Sequence, residues 1–154
     1  MSFTKRLIRW WPCLALAATP AFAASSDVEQ LTKDPKNWAM QSGNMANHRY
    51  SALKQITSKN AKNLQVAWTF RTGDIPQSTG AGAEDQNTPL QIGDTVYTCT
   101  AYGKVFALDA DTGAQRWKFD PQGSAPNWQR CRGLGYSEAP APAGAQPTAC
   151  TKRL

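Results

Sequence analysis

Titratable and nucleophilic residues at chemically useful spacings are few in this sequence. The chain has a single histidine, His48, which lies in a polar stretch with no carboxylate at a fixed spacing. A general base must lie within hydrogen-bond reach of the proton that it removes, so this pattern favours a surface or packing histidine. No Cys-x-x-Cys pair or His-rich segment is present. The sequence therefore contains no evident acid–base pair and no evident metal site.

The amino terminus has the pattern of a secretory signal peptide. A basic start precedes a mostly apolar run, and an Ala-x-Ala cleavage pattern ends at Ala23. The apolar run is too short to span a bilayer comfortably, which argues against a membrane anchor. We therefore predict a signal peptide over residues 1–23, cleavage after Ala23, a mature protein over residues 24–154, and export to the periplasm.

Charge and composition restrict the class of protein further. The formal net charge is +6, but the basic residues are scattered along the chain, which argues against a nucleic-acid partner. No apolar stretch after the first 23 residues is long enough to cross a membrane. Eleven glycines and ten prolines favour a turn-rich globular protein over a helical bundle.

Three cysteines remain after the predicted cleavage site: Cys99, Cys131 and Cys150. An exported chain meets an oxidising compartment, where a disulfide can form. Cys99 lies in an apolar, strand-like stretch, whereas Cys131 and Cys150 lie in loop-like sequence. We therefore predict a Cys131–Cys150 disulfide, with Cys99 reduced and buried.

Hydrophobic periodicity predicts a mostly β chain with a short helical lead-in. Residues 26–38 favour a helix and residues 57–63 a helical turn, because Ser26 and either Thr57 or Ser58 can cap them. From residue 66 onward, apolar and polar residues alternate, and glycine-containing turns then separate four strands that form a β-meander. The predicted strands cover residues 66–71, 88–92, 95–100, 104–109 and 115–119, and the Pro- and Gly-rich residues 123–149 form a long excursion.

A motif that begins at Ala107 specifies both a turn and a contact. Gly113 can adopt a positive φ, and Asp109 and Thr112 can bind nearby backbone N–H groups and hold the turn. Ala107 keeps the packed face thin, and Trp117 follows where a flat ring can cover the seam between neighbouring sheets. A Trp-x-Phe pattern at residue 68 recurs at residue 117, and a period of about 40–50 residues is the size of a propeller blade. We therefore predict that the motif builds a blade and docks it on the next.

Several stretches together resemble the quinoprotein dehydrogenases, eight-bladed propeller enzymes that use pyrroloquinoline quinone (PQQ). Residues 37–74 are similar to the start of their catalytic domain, residues 87–100 to its first full blade, and the motif above to their tryptophan-docking motif. The segment Asn-Trp-Gln-Arg-Cys-Arg-Gly-Leu-Gly-Tyr at residues 127–136 resembles the membrane-associated glucose, quinate and shikimate branch. The resemblance implies an all-β fold, part of an eight-bladed β-propeller, over residues 24–154.

The resemblance also implies three residues that bind PQQ. Arg132 matches an arginine that reaches the quinone or its carboxylates, and a guanidinium can form a fork on such oxygens. Trp128 matches a residue that covers the cofactor, where an indole can stack. Gln86 stands where many relatives have a glutamate, and its amide can donate a hydrogen bond. The alternatives are a solvated loop arginine for Arg132 and a loop tryptophan packed on the blade for Trp128.

The function implied by the resemblance is that of a periplasmic PQQ-dependent dehydrogenase. Such an enzyme oxidises a sugar, polyol or alcohol by hydride transfer and passes electrons to a quinone or cytochrome, with possible peripheral association with the membrane. Calcium or another cation assists, and its ligands and the catalytic base are expected outside this segment. The isolated chain supplies fewer than the four blades of a closed propeller, so we expect it to be inactive. The alternative is a non-catalytic propeller scaffold for protein partners.

Overall fold

The computed structural model describes residues 27–74, 84–123, 130–138 and 151–154. Their order is one short α-helix, one 3-10 helix and eight strands. The helices are α1 (Asp27–Leu31) and the 3-10 helix Ala61–Asn63. The strands are β1 (Glu84–Thr88), β2 (Leu90–Ile92), β3 (Thr95–Cys99), β4 (Val105–Asp109), β5 (Gln115–Phe119), β6 (Arg130–Gly133), β7 (Ser137–Glu138) and β8 (Lys152–Arg153). The signal peptide, Trp128 and Cys150 lie outside the described residues.

Four strands form the antiparallel meander β2-β3-β4-β5, as the sequence predicts. The β-hairpin turns work because Gly93 and Gly113 adopt φ values of +59° and +71°, which other residues resist. β4 is the most buried strand: Phe106, Ala107 and Leu108 are at most 3% exposed. Because consecutive residues point to opposite faces of a strand, both faces of β4 are covered. The meander is therefore the packed centre of the described structure.

The outer strand β5 presents an exposed edge. Ala107 pairs with Tyr97 on one side and Trp117 on the other, and its small side chain lets those two rings approach to 6.0 Å between centroids. Trp117 nevertheless remains 42% exposed and Phe119 58% exposed. The described residues contain no further blade beside β5, so the covering of a seam by Trp117 stays a prediction.

The lead-in joins the meander at the edge formed by β2. Trp38 forms a β-bridge with Gln91, in which each backbone N–H donates to the other's carbonyl, at 2.8 and 3.1 Å. The backbone N–H of Gly93 donates to the side chain of Asn37 at 2.8 Å. The helix predicted over residues 26–38 ends earlier, at Leu31, since turns connect it to this bridge. The lead-in thereby adds a single β-bridge along the free edge of β2.

Residues 66–71 were predicted as a strand, and the structure has no strand there. Val66 is 82% exposed, while Trp68 and Phe70 are half-buried against the meander. Phe70 contacts Phe106 edge-on, with ring centroids 5.2 Å apart. The alternation in the sequence therefore identified Trp68 and Phe70 as packed side chains but was wrong for Val66, and no ladder partner lies beside this segment among the described residues.

Candidate cofactor-binding wall

Trp68 docks on the turn that the motif after Ala107 builds. Its Nε1–H donates to the carbonyl of Ala110 at 3.0 Å. Gly113 lies directly beneath the indole, since a Cβ added there would stand 2.5 Å from two ring carbons of Trp68. The ring on this turn thus comes from 42 residues upstream and belongs to the earlier copy of the Trp-x-Phe pattern.

The turn itself has the hydrogen bonds that the motif predicts. The Asp109 carboxylate accepts from the backbone N–H and the hydroxyl of Thr112, at 2.9 and 2.8 Å. Arg116 donates to both Asp109 and Asp94, at 2.7 and 2.9 Å, and ties this turn to the neighbouring one. Arg116 is the main cause that holds the pKa of Asp109 far below its usual range, followed by Thr112. This end of the meander therefore has a structural role.

A second sheet, made of β1 and β6, carries two of the three predicted cofactor residues. The two strands run parallel, with Asp85 opposite Cys131 and Thr88 opposite Gly133. The register is irregular between these pairs, so Arg132 lies opposite the stretch that contains Gln86. The sequence analysis placed residues 130–133 in a loop excursion and missed this strand and its pairing. Gln86 and Arg132, 46 positions apart in the sequence, are thereby brought onto adjacent strands.

Some polar side chains of the β1–β6 pair already have hydrogen-bond or ion-pair partners, and others have donors to spare. Arg130 forms an ion pair with Glu84 at 3.3 Å, and the Gln86 amide donates to the same carboxylate at 2.6 Å. The Gln86 amide has a second hydrogen to donate. Arg132 is exposed, and its guanidinium makes no hydrogen bond or ion pair with another residue in the described ranges. A forked cation and an amide donor are therefore available on adjacent strands.

The disulfide differs from the prediction. The structure pairs Cys99 with Cys131, with their Cα atoms 6.1 Å apart, so the predicted Cys131–Cys150 bridge with a reduced Cys99 is wrong. Cys99 is 2% exposed, as predicted. The reason for the error is that residue 131 belongs to a strand beside the end of β3 rather than to a free loop.

A neighbouring hydrogen bond joins the same two sheets. The Asn87 amide donates to the hydroxyl of Thr98 at 2.6 Å. The Asn87 side-chain oxygen is buried without a partner among the described residues. Together with the disulfide, this contact fixes both strands of the β1–β6 pair on the meander.

Asp74 carries a buried carboxylate that binds two residues of the connection between β3 and β4. The Asp74 side chain is 5% exposed, and it accepts hydrogen bonds from Lys104 at 2.6 Å and from the Thr100 hydroxyl. Burial acts to raise the pKa of Asp74, but the bonds from Lys104 and Thr100 outweigh it and leave that pKa lowered. The sequence analysis missed this acid because nothing in the local pattern links residues 74 and 104.

The remaining candidates do not extend the site. His48 is exposed and forms two hydrogen bonds with Asn44, which agrees with a surface or packing histidine. A cavity of about 540 Å³ lies between the lead-in and residues 134–137, but its lining, which includes Met40, Met45 and Tyr136, has no charged side chain to pair with a tricarboxylate.

Across residues 27–74, 84–123, 130–138 and 151–154, no group of three potential metal ligands occurs. In those same ranges no helix is both long and apolar enough to span a bilayer.

Comparison with known proteins identifies the family. The family model for the glucose/ethanol/alcohol dehydrogenase β-propeller domain, named for PQQ, matches residues 38–154. The quinate/shikimate dehydrogenase (quinone) of Acinetobacter baylyi is 44% identical over 123 residues, which cover 76% of this chain and 15% of that protein. The quinoprotein glucose dehydrogenase of Escherichia coli is 41% identical over 132 residues, covering 83% of this chain and 16% of the relative.

A solved structure agrees with these relatives. A europium-containing methanol dehydrogenase is 36% identical and superposes with a TM-score of 0.57, over 71% of this chain and 19% of that one. The chain therefore spans less than a fifth of the length of each of these three proteins. The meander, the docked Trp68 and the arginine-bearing β6 belong to a protein of the PQQ-dependent dehydrogenase β-propeller family, of which this chain is a member.

Proposed function

We propose that the β1–β6 pair forms one wall of a PQQ site in a dehydrogenase that oxidises a CH–OH group of a sugar, cyclic polyol or simple alcohol. The exposed Arg132 on the strand next to the one that carries Gln86 is the observation that carries this proposal. PQQ is a flat tricarboxylic quinone, so a forked cation and an amide donor fit its oxygens. When bound, PQQ supplies the two-electron oxidation, while the residues of this segment hold and orient it.

The relatives support this class of reaction and no single substrate. The two curated relatives above are named for quinate or shikimate and for glucose, and the solved relative for methanol. All three are dehydrogenases, which is why we propose a dehydrogenase rather than a non-catalytic scaffold. Quinone or cytochrome as electron acceptor, and an eight-bladed ring to which this segment contributes the first part, are parts of the same proposal.

The cation and the compartment belong to the proposal too. One solved relative contains europium, and another relative is named as a lanthanide-dependent methanol dehydrogenase. We propose that calcium or a comparable cation acts beside the quinone, with ligands supplied from outside residues 24–154. The signal pattern that ends at Ala23 supports a periplasmic location, with peripheral association with the inner membrane as in the branch that the sequence resembles.

The experiment is a PQQ titration of the full-length apo-protein, followed by quenching of tryptophan fluorescence. Arg132→Ala should weaken PQQ binding by about 1.5–3 kcal/mol, the range for a hydrogen bond to a charged group. Arg132→Lys should recover only part of that loss, because an ammonium lacks the planar fork. Arg71→Ala is the matched control, since Arg71 is also exposed but lies outside the β1–β6 pair.

Two results would contradict this role of Arg132. If Arg132→Ala and Arg71→Ala bind PQQ as tightly as the unchanged protein, Arg132 is a solvated surface arginine. If the unchanged protein itself binds no PQQ, the proposed function is wrong and the scaffold becomes the better description.

A further inference from the structure

The β1–β6 pair has little of its own to hold it together. β1 has five residues and β6 four, and they form a sheet of only two strands. Isolated two-stranded sheets are marginal in water, and parallel strands lack even a tight turn to join them. Here the whole meander separates β1 from β6 in the sequence. The geometry of this pair must therefore come from contacts with its neighbours.

Two consecutive residues at the end of β3 supply those contacts. The Thr98 hydroxyl accepts a hydrogen bond from Asn87 in β1, and Cys99 is bonded to Cys131 in β6. β3 itself is well held, because five of its residues pair with β4 in an unbroken register. The end of β3 is therefore a fixed support to which each strand of the pair is attached once.

We propose that Cys99 and Cys131 are positioning residues for the cofactor, and that their disulfide holds Arg132 in the register that lets it bind PQQ. Arg132 directly follows Cys131, so the covalent link acts one residue away from the guanidinium. Without the link, β6 loses its covalent attachment to β3 and relies on contacts such as its short ladder to β1 and the Arg130–Glu84 ion pair, so the fraction of molecules with Arg132 in place falls. A lower fraction of binding-competent molecules raises the apparent Kd in proportion. This inference rests on the proposed function.

The alternative is a disulfide that merely stabilises the blade as a whole. The two roles differ in where the protein loosens when the link is removed. A positioning role predicts loss of order at β1 and β6 alone, because the β3–β4 ladder does not depend on residue 131. A general stabilising role predicts a uniform change that includes β4.

The test compares Cys99→Ala, Cys131→Ala and the double variant in the full-length protein, with two measurements. Hydrogen exchange of backbone amides reports the order of β6 and β4 separately, and apo-protein titration reports the Kd for PQQ. Each variant should exchange faster at β6 with β4 unchanged, and each should raise the Kd about tenfold. The double variant should equal each single one, because either change removes the whole link; two independent packing effects would add instead.

Val96→Ala is the matched control. It removes side-chain volume from the opposite end of β3 without touching the disulfide, so it should leave both β6 exchange and the Kd for PQQ unchanged. An equal effect of Val96→Ala, additive single effects, or free thiols at both cysteines on non-reducing peptide mapping would each overturn the proposal.

The two proposals fail in different ways. If the unchanged protein binds PQQ and the cysteine variants bind it equally well, the positioning role is wrong and the proposed function stands. If the unchanged protein binds no PQQ, the proposed function is wrong, and the positioning role falls with it.

Discussion

Replacing Gly113 with alanine should damage the docking of Trp68 far more than the same change damages an ordinary glycine turn. Gly113 is buried, has a φ of +71°, and lies beneath the indole ring. Gly93 provides the matched control: its φ is +59°, and an added Cβ would meet nothing within 4 Å. The two substitutions impose the same kind of backbone strain, and only one adds a clash.

The magnitudes follow from these two contributions. A non-glycine residue in the left-handed region costs about 1–2 kcal/mol, which is the whole expected cost of Gly93→Ala. At Gly113 the new methyl group would stand 2.5 Å from Cδ2 and Cε3 of Trp68, so the ring must shift. Overpacking of this kind costs about 1–3 kcal/mol more. Gly113→Ala should therefore destabilise the protein by about 2–5 kcal/mol.

Thermal unfolding of the intact protein, followed by tryptophan fluorescence, measures both variants. Gly113→Ala should lower the Tm more than Gly93→Ala, and it should also change the native-state emission, because the displaced indole loses its hydrogen bond to Ala110. Equal Tm losses, with emission unchanged in both variants, would show that Gly113 is needed only for its backbone conformation. The docking of Trp68 would then contribute nothing measurable to stability.

Two further predictions concern the buried acid and the amino terminus. Asp74→Asn should cost about 1.5–3 kcal/mol at neutral pH, the range for hydrogen bonds to a charged group. Because the folded protein lowers the pKa of Asp74, its contribution is present above the carboxyl's ordinary pKa of 3.8 and is lost as the pH falls through the lower folded value. The Tm difference between Asp74→Asn and the unchanged protein should therefore shrink below about pH 4, and a difference independent of pH would refute the role of the charge. If export occurs as proposed, amino-terminal sequencing of periplasmic protein should begin at Ala24, and an intact Met1 would contradict it.

Local features of this fold were predictable because each depends on a few neighbouring residues. Period-two alternation and turn glycines placed β3, β4 and β5 to within a residue, since those signals lie inside each hairpin. The Asp109 turn was equally accessible, because donors and acceptor lie within three residues of one another. The helix at the start was overextended, since nothing local marks the bridge from Trp38 to Gln91 that ends the lead-in.

Features that depend on distant pairing were missed for a common physical reason. β6 is short and lies in Gly- and Pro-rich sequence, so its composition resembles a loop until β1 is known to lie beside it. The wrong disulfide followed from that error, since a loop cysteine was matched with another loop cysteine rather than with the strand end next to it. Connectivity among three cysteines cannot be read from spacing alone.

The docking of Trp68 shows which contact the motif leaves unspecified. The motif after Ala107 contains both a receiving turn, at Ala110 and Gly113, and a ring of its own, Trp117. Sequence periodicity relates Trp117 to Trp68, but it does not say which ring meets which turn. The hydrogen bond from Trp68 to Ala110 gives that order: the ring of the earlier repeat sits on the turn of the later one. This turn is thus positioned by a residue far upstream, and in our proposal a second long-range link, between Cys99 and Cys131, sets the place of Arg132.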